Sequence, residues 1–211
     1  MHKRTIWSKI FLLVCLCAFA VSVKAQTSDD ASTPKNPQGD AAEAAKQLTD
    51  RDPLVRQRGA EELARLAATD WLHLTEGYRL QEKNARVRVA LDWALYRMGK
   101  GESLYAVVRA LDSAHDAQAA GYLAQLETPQ TLYPILPRVN GNTQIKLLKL
   151  LARIGDAATL EQIKSYADSF DPLIAEAAHQ AERDIEHRLA NQPNDAATRP
   201  RQVGNKKPPT P

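Results

Sequence analysis

The amino-acid sequence predicts an all-α fold made of consecutive helix pairs, and three observations carry that expectation. Apolar residues recur at helical spacing through almost all of 41–190. A capping residue followed three places later by an apolar one returns along the chain. No stretch alternates strictly, as a half-buried strand would.

The pattern is clearest at Asp52-Pro-Leu-Val-Arg-Gln-Arg-Gly, where Asp52 can accept a bond from an orphan backbone N–H and Pro53 suits the first helical position. Val55, Gly59, Leu63 and Leu66 then follow at helical spacing. Variants return at Asn84-Ala-Arg-Val-Arg, Asp116-Ala-Gln-Ala-Ala, Asn142-Thr-Gln-Ile-Lys and Asp171-Pro-Leu-Ile-Ala. The steps between these helix starts are 32, 32, 26 and 29 residues, within the range of helix-pair solenoids. The expected pairs are 41–49 with 53–68, 70–80 with 85–98, 103–111 with 117–126, 131–138 with 143–154, and 158–169 with 172–190. Gly99-Lys-Gly101, Thr128-Pro129, Asn140-Gly141-Asn142 and Gly155-Asp156 stand between them as breakers. Short loops make neighbouring helices antiparallel. Each pair alone would leave an apolar face wet, so stability must come from stacking.

An Asp-Pro-x-Val-Arg start to the second helix of a pair resembles the HEAT repeat, in particular its short bacterial HEAT-like form. The resemblance covers roughly 41–189, is best at Asp52 and Asn84, and is poorest at Asp116, where Ala119 and Ala120 stand in place of Val and Arg. It implies an α-solenoid of about five antiparallel helix pairs. It also implies a structural ladder in which Arg56, Arg88 and Lys146 bond the caps Asp52, Asn84 and Asn142 of neighbouring repeats, a task suited to a multi-donor guanidinium. Tetratricopeptide repeats share the period but not the sequence, since no copy has a Trp-x-x-Leu-Gly start.

The flanks differ from this array. Residues 1–25 have a basic start (Lys3, Arg4, Lys9), an apolar run from Ile10 to Val21 and a small-residue exit Val23-Lys24-Ala25, which reads as a signal peptide cleaved between Ala25 and Gln26. A run of 12 apolar residues falls short of the roughly 20 needed to span a bilayer. A lipid anchor on Cys15 or Cys17 is disfavoured by Val14 and Leu16 ahead of them. Residues 26–40 are polar and expected as a disordered linker, and 191–211 as a disordered, basic, Pro-rich tail. Both cysteines lie in the leader, so the processed chain would have neither disulfide nor thiolate site. Removing the leader leaves 24 basic against 25 acidic residues, a balance that gives no electrostatic reason to bind nucleic acid.

Chemistry-bearing motifs are sparse. His73, His115, His179 and His187 share no spacing with carboxylates, and metal-binding HEAT-like enzymes carry repeated His-Glu pairs where this chain has a single reversed Glu186-His187. No Gly-x-Ser-x-Gly or phosphate-binding glycine loop occurs, so no catalytic residue, metal or cofactor is expected. Two binding features stand out on second helices. Val89, Trp93 and Tyr96 make a second apolar stripe on the helix at 85–98, which is core if neighbours cover it and an aromatic anchor if they do not. Lys146, Lys149 and Arg153 lie along one face of 143–154 and could flank an acidic peptide.

The functional expectation is an exported, periplasmic or secreted, non-enzymatic interaction or scaffold module of the cell envelope. It would bind an unknown protein or peptide on the concave face of the stack, with no nucleic acid and no membrane anchor after cleavage. The alternatives are an exported enzyme or enzyme subunit with scattered carboxylates, and a purely structural domain of a larger assembly.

Overall fold

The structure, a computed structural model, describes residues 37–191; the expected signal peptide, its cleavage point and most of the two expected tails lie outside the described residues. Those residues form nine α-helices joined by turns, four of them 3₁₀, and no strand occurs among them. The helices are α1 (Pro37–Gln47), α2 (Pro53–Leu66), α3 (Leu72–Gln81), α4 (Ala85–Arg97), α5 (Ser103–Arg109), α6 (Asp116–Leu123), α7 (Gly141–Ile154), α8 (Ala157–Ala167) and α9 (Pro172–Ala190). The chain is therefore all-helical over the described residues. Its first helix opens at Pro37, so 37–40 are helical where the sequence suggested linker.

Three of the five anticipated helix starts form as the side-chain chemistry dictates. Asp52 Oδ1 accepts from Leu54 N at 2.9 Å, Asn84 Oδ1 from Arg86 N and Val87 N at 3.0 and 3.2 Å, and Asp171 Oδ1 from Leu173 N at 2.9 Å. The other two depart from expectation. Asp116 is the first helical residue of α6 and not a flanking cap, its Oδ1 receiving only the adjacent Ala117 N. Asn142 lies inside α7, whose flanking residue is Asn140, and its amide reaches across to the Asp112 carboxylate instead. A side chain already inside the first turn cannot fold back as a cap, so it is free to bond elsewhere.

The helix expected over 131–138 is replaced by two 3₁₀ turns, Pro129–Leu132 and Leu136–Arg138. Pro134 and Pro137 remove two backbone donors in one turn, which a continuous α-helix does not tolerate. Side chains hold this irregular segment to α8. Asp156 caps α8 by accepting from Thr159 N at 3.0 Å, and the same carboxylate accepts from Gln130 Nε2 at 2.8 Å and Tyr133 Oη at 3.2 Å.

Packing centres on α4. It lies against α2, α3, α5 and α6, while α7 packs on α5 and α9, and α8 on α9. Gly59 lets α1 approach α2 closely, because a Cβ there would stand 2.6 Å from the Ala44 carbonyl oxygen of α1. At the other end, Arg188 of α9 donates to the Ala152 and Arg153 carbonyls at 2.8 and 2.6 Å and to the Gly155 carbonyl, capping the C-terminus of α7.

Two of the three expected ladder residues bridge between helices, each to a partner other than the expected cap, and the third does not. Arg56 makes a forked pair with Glu82, Nε–Oε2 2.7 Å and Nη2–Oε1 3.0 Å, and donates to the Asp50 and Arg51 carbonyls. Glu82 Oε1 also accepts from Asn84 N at 2.8 Å, so Arg56 reaches the neighbouring cap through Glu82. Lys146 reaches Asp116 at 2.9 Å. Arg88 is exposed and makes no hydrogen bond or ion pair among the described residues; the buried Asp92 below it takes Arg79 at 2.6 Å instead.

The Arg56 guanidinium holds the Glu82 carboxyl below its ordinary range. Its stabilising contribution is therefore present above the titration range of an unfolded Glu and is lost as pH falls through the folded value. Glu82→Gln should lower stability by about 2 kcal/mol at neutral pH, from loss of a charge-assisted pair. In urea titrations the deficit should shrink as pH drops below about 4; a deficit independent of pH would contradict the pairing.

Candidate interaction face

The clearest cleft is built from α2, α4 and α6. On α2, burying Ala60, Leu63 and Ala64 turns Arg58, Glu61, Glu62 and Arg65 toward the side that α4 and α6 leave open. Trp93 and Arg97, one turn apart on α4, and Tyr122 and Gln125 on α6 complete a cleft of ≈ 680 Å³.

Its floor is aromatic. Trp93 and Tyr122 stack with centroids 5.7 Å apart and planes 5° apart, and the Tyr96 ring lies 5.4 Å from Trp93 at 30° to it. Arg97 sits 5.9 Å over the indole. A chain of polar bonds fixes the tyrosine: Gln118 Nε2 donates to Tyr122 Oη at 2.8 Å, Tyr122 Oη to Glu61 Oε1 at 2.5 Å, and Gln57 Nε2 to Glu61 Oε1 at 2.7 Å. Burial, reinforced by the Glu61 carboxylate, pushes the Tyr122 hydroxyl well above its usual value, so it remains a donor.

The rim is charged and only partly paired. Arg65 is held by Glu62 at 2.5 Å. Arg58 makes no hydrogen bond or ion pair among the described residues, and Arg97 has the indole face alone.

The Val89, Trp93 and Tyr96 stripe is consequently not an exposed anchor. Val89 is 7% exposed and Trp93 3%, with Tyr96 half-buried. Tyr122 and Arg97 cover the indole, leaving only enough of it to floor the cleft. The basic flank on α7 is divided too. Lys146 is engaged by Asp116, whereas Lys149 and Arg153 are exposed and make no hydrogen bond or ion pair among the described residues. These two cations border a second, smaller pocket of ≈ 290 Å³ with Leu111, Ala117, Ala120 and Leu150.

Glu61, Tyr122, Gln57 and Gln118 do not stand out in the sequence. The (i, i+4) pairs Gln57–Glu61 and Gln118–Tyr122 are visible there as same-face polar pairs, but the bond joining them spans 61 residues. Asp92 does not stand out either. That buried carboxylate, raised above its ordinary range by desolvation and opposed by Arg79, faces a guanidinium and not a second carboxylate. Among the described residues no cluster of three or more His, Cys, Asp or Glu is placed to hold a metal ion, and no helix is long and apolar enough to cross a membrane.

Because Trp93 is buried against two tyrosines, Trp93→Ala should destabilise the domain by about 3–5 kcal/mol, measured by denaturant unfolding. A loss below about 1 kcal/mol would mean that the ring is open to solvent.

No known protein-family profile matches the chain, and no curated protein matches it. Among solved structures, it is similar to an engineered protein from a structural-genomics crystal structure, at 18% identity over 71% of this chain and 80% of that one. The TM-score of 0.33 is too low to support an argument about fold or function.

Proposed function

We propose that this chain is an exported, non-enzymatic interaction module of the cell envelope. In this reading it is a HEAT-like α-solenoid of about five helix pairs that binds an acidic peptide or protein segment on the face formed by its second helices. The observation that carries the reading is the cleft between α2, α4 and α6, with an aromatic floor and two arginines, Arg58 and Arg97, that make no ion pair among the described residues. Aromatic rings supply contact area at low entropic cost, and the free guanidinium groups select for negative charge.

The repeat reading draws support from the contact order, in which α2 packs on α4 and α4 on α6, and from the matching caps at Asp52, Asn84 and Asp171. In such stacks the second helices line the concave side, and the cleft lies between three helices that this reading makes second helices. The export reading rests on residues 1–25 and their Val-Lys-Ala exit, and a processed protein beginning at Gln26 is its check.

Titration calorimetry of the full chain with an acidic Glu/Ala peptide tests the binding reading. Arg58→Glu with Arg97→Glu should weaken binding about tenfold or more. Gly121→Glu should act in the same direction without strain, since a Cβ at that exposed position of α6 meets nothing within 4 Å. Affinity unchanged in both variants would overturn the assignment of the face.

A further inference from the structure

The smaller pocket between α6 and α7 narrows the kind of peptide, and its assignment rests on the proposal that this face binds an acidic segment. We infer that this pocket captures the free C-terminal residue of a peptide, its carboxylate between Lys149 and Arg153 and its apolar side chain against Leu111, Ala117, Ala120 and Leu150.

Three features lead there. First, Lys149 and Arg153 lie four apart on α7, the spacing that makes helix side chains neighbours. Like charges so placed repel each other, and neither has a partner among the described residues, so an anion between them relieves the repulsion and gains charge-assisted hydrogen bonds. The one carboxylate lining the pocket, Asp116, is already bonded to Lys146 at 2.9 Å, and that ammonium holds its carboxyl below the usual range. It therefore does not neutralise the other two cations.

Second, the pocket is apolar beneath the charges. Leu111 and Leu150 are buried and form its base, while Ala117 and Ala120 keep the α6 wall low. At ≈ 290 Å³ it lies at the lower end of ligand-pocket sizes and suits a single residue better than the face of a helix. Third, a terminal residue carries a carboxylate and an apolar side chain on one Cα, matching two cations beside one small apolar hollow. An internal acidic residue carries its charge on its own side chain, away from any apolar one. α6 also connects the pocket to the larger cleft: Ala117 and Ala120 face the former, Tyr122 and Gln125 the latter. A peptide that ends at α7 and crosses α6 would bring its upstream acidic residues to Arg97 and Arg58.

Fluorescence anisotropy of the full chain with a labelled Glu/Ala peptide ending in Leu provides the test. The probe is compared with its C-terminal amide and with a form in which two glycines follow the Leu, keeping the carboxylate but separating it from the side chain. The expected result is affinity about tenfold or more higher for the free terminal Leu than for either control. That preference should vanish in Lys149→Gln with Arg153→Gln, whose melting midpoint should match the parent because both side chains are exposed and unpaired. Equal binding of the three peptides, or a preference that survives the double substitution, overturns terminal capture. If all three bind equally and Arg58→Glu with Arg97→Glu weakens them alike, the general reading of the face stands and only this inference falls. Absence of binding by every peptide overturns both.

Discussion

Burying α4 on nearly every side is the constraint from which the other elements take their places. Val87, Val89, Ala90, Leu91, Trp93, Ala94, Leu95 and Met98 are all excluded from solvent, which one flanking helix could not achieve. Four helices do it together, α2 and α6 from the side of Trp93 and α3 and α5 from the others. The one acid on the buried surface of α4, Asp92, has its carboxylate bonded to Arg79 of α3, because an unpaired carboxylate there would be far costlier than the pair. Gly99 then ends the helix region at a φ of +103°, a backbone state that side-chain-bearing residues avoid, and turns the chain into α5.

That burial also decides where a cleft can open. With the middle of α4 from Val89 to Leu95 buried, the open surface falls between helices. Trp93 contributes from below, as a floor already stacked on Tyr122, and arginines on α2 and α4 line the rim. The fixed Tyr122–Glu61 bond has a second consequence. It holds the Glu61 carboxylate in place beside the aromatic floor, with its negative charge still on the cleft wall.

Much of this fold could be read from the sequence where a local rule decides the outcome. The Asp-Pro starts at Pro53 and Pro172 and the Asn84 cap are local hydrogen-bond chemistry, and they form as expected. Asp116 and Asn142 carry the same residue types but sit one and two places past the flanking residues of their helices, a shift of register that spacing alone cannot fix. Pro134 and Pro137 were in plain view, and their combined effect outweighs the apolar periodicity around them. The ladder was half legible: Arg56 and Lys146 do bridge between units, but the acceptor beside Asn84 is Glu82, a residue the cap pattern does not mark. The site was less legible than the fold. Whether the Val89–Trp93–Tyr96 stripe was core or surface depended on what covers it, and its cover, Tyr122, lies in the repeat copy with the weakest pattern.

Hydrogen exchange of the full chain, followed by mass spectrometry, tests the central role of α4 most directly. Amides buried in a helix packed on four sides open only with the whole domain, whereas helices with fewer neighbours open locally. Peptides from 85–97 should therefore exchange slowest, those from α2 next, and those from α1 and α8 fastest. Exchange in 85–97 as rapid as in α8 would contradict a fold organised around α4.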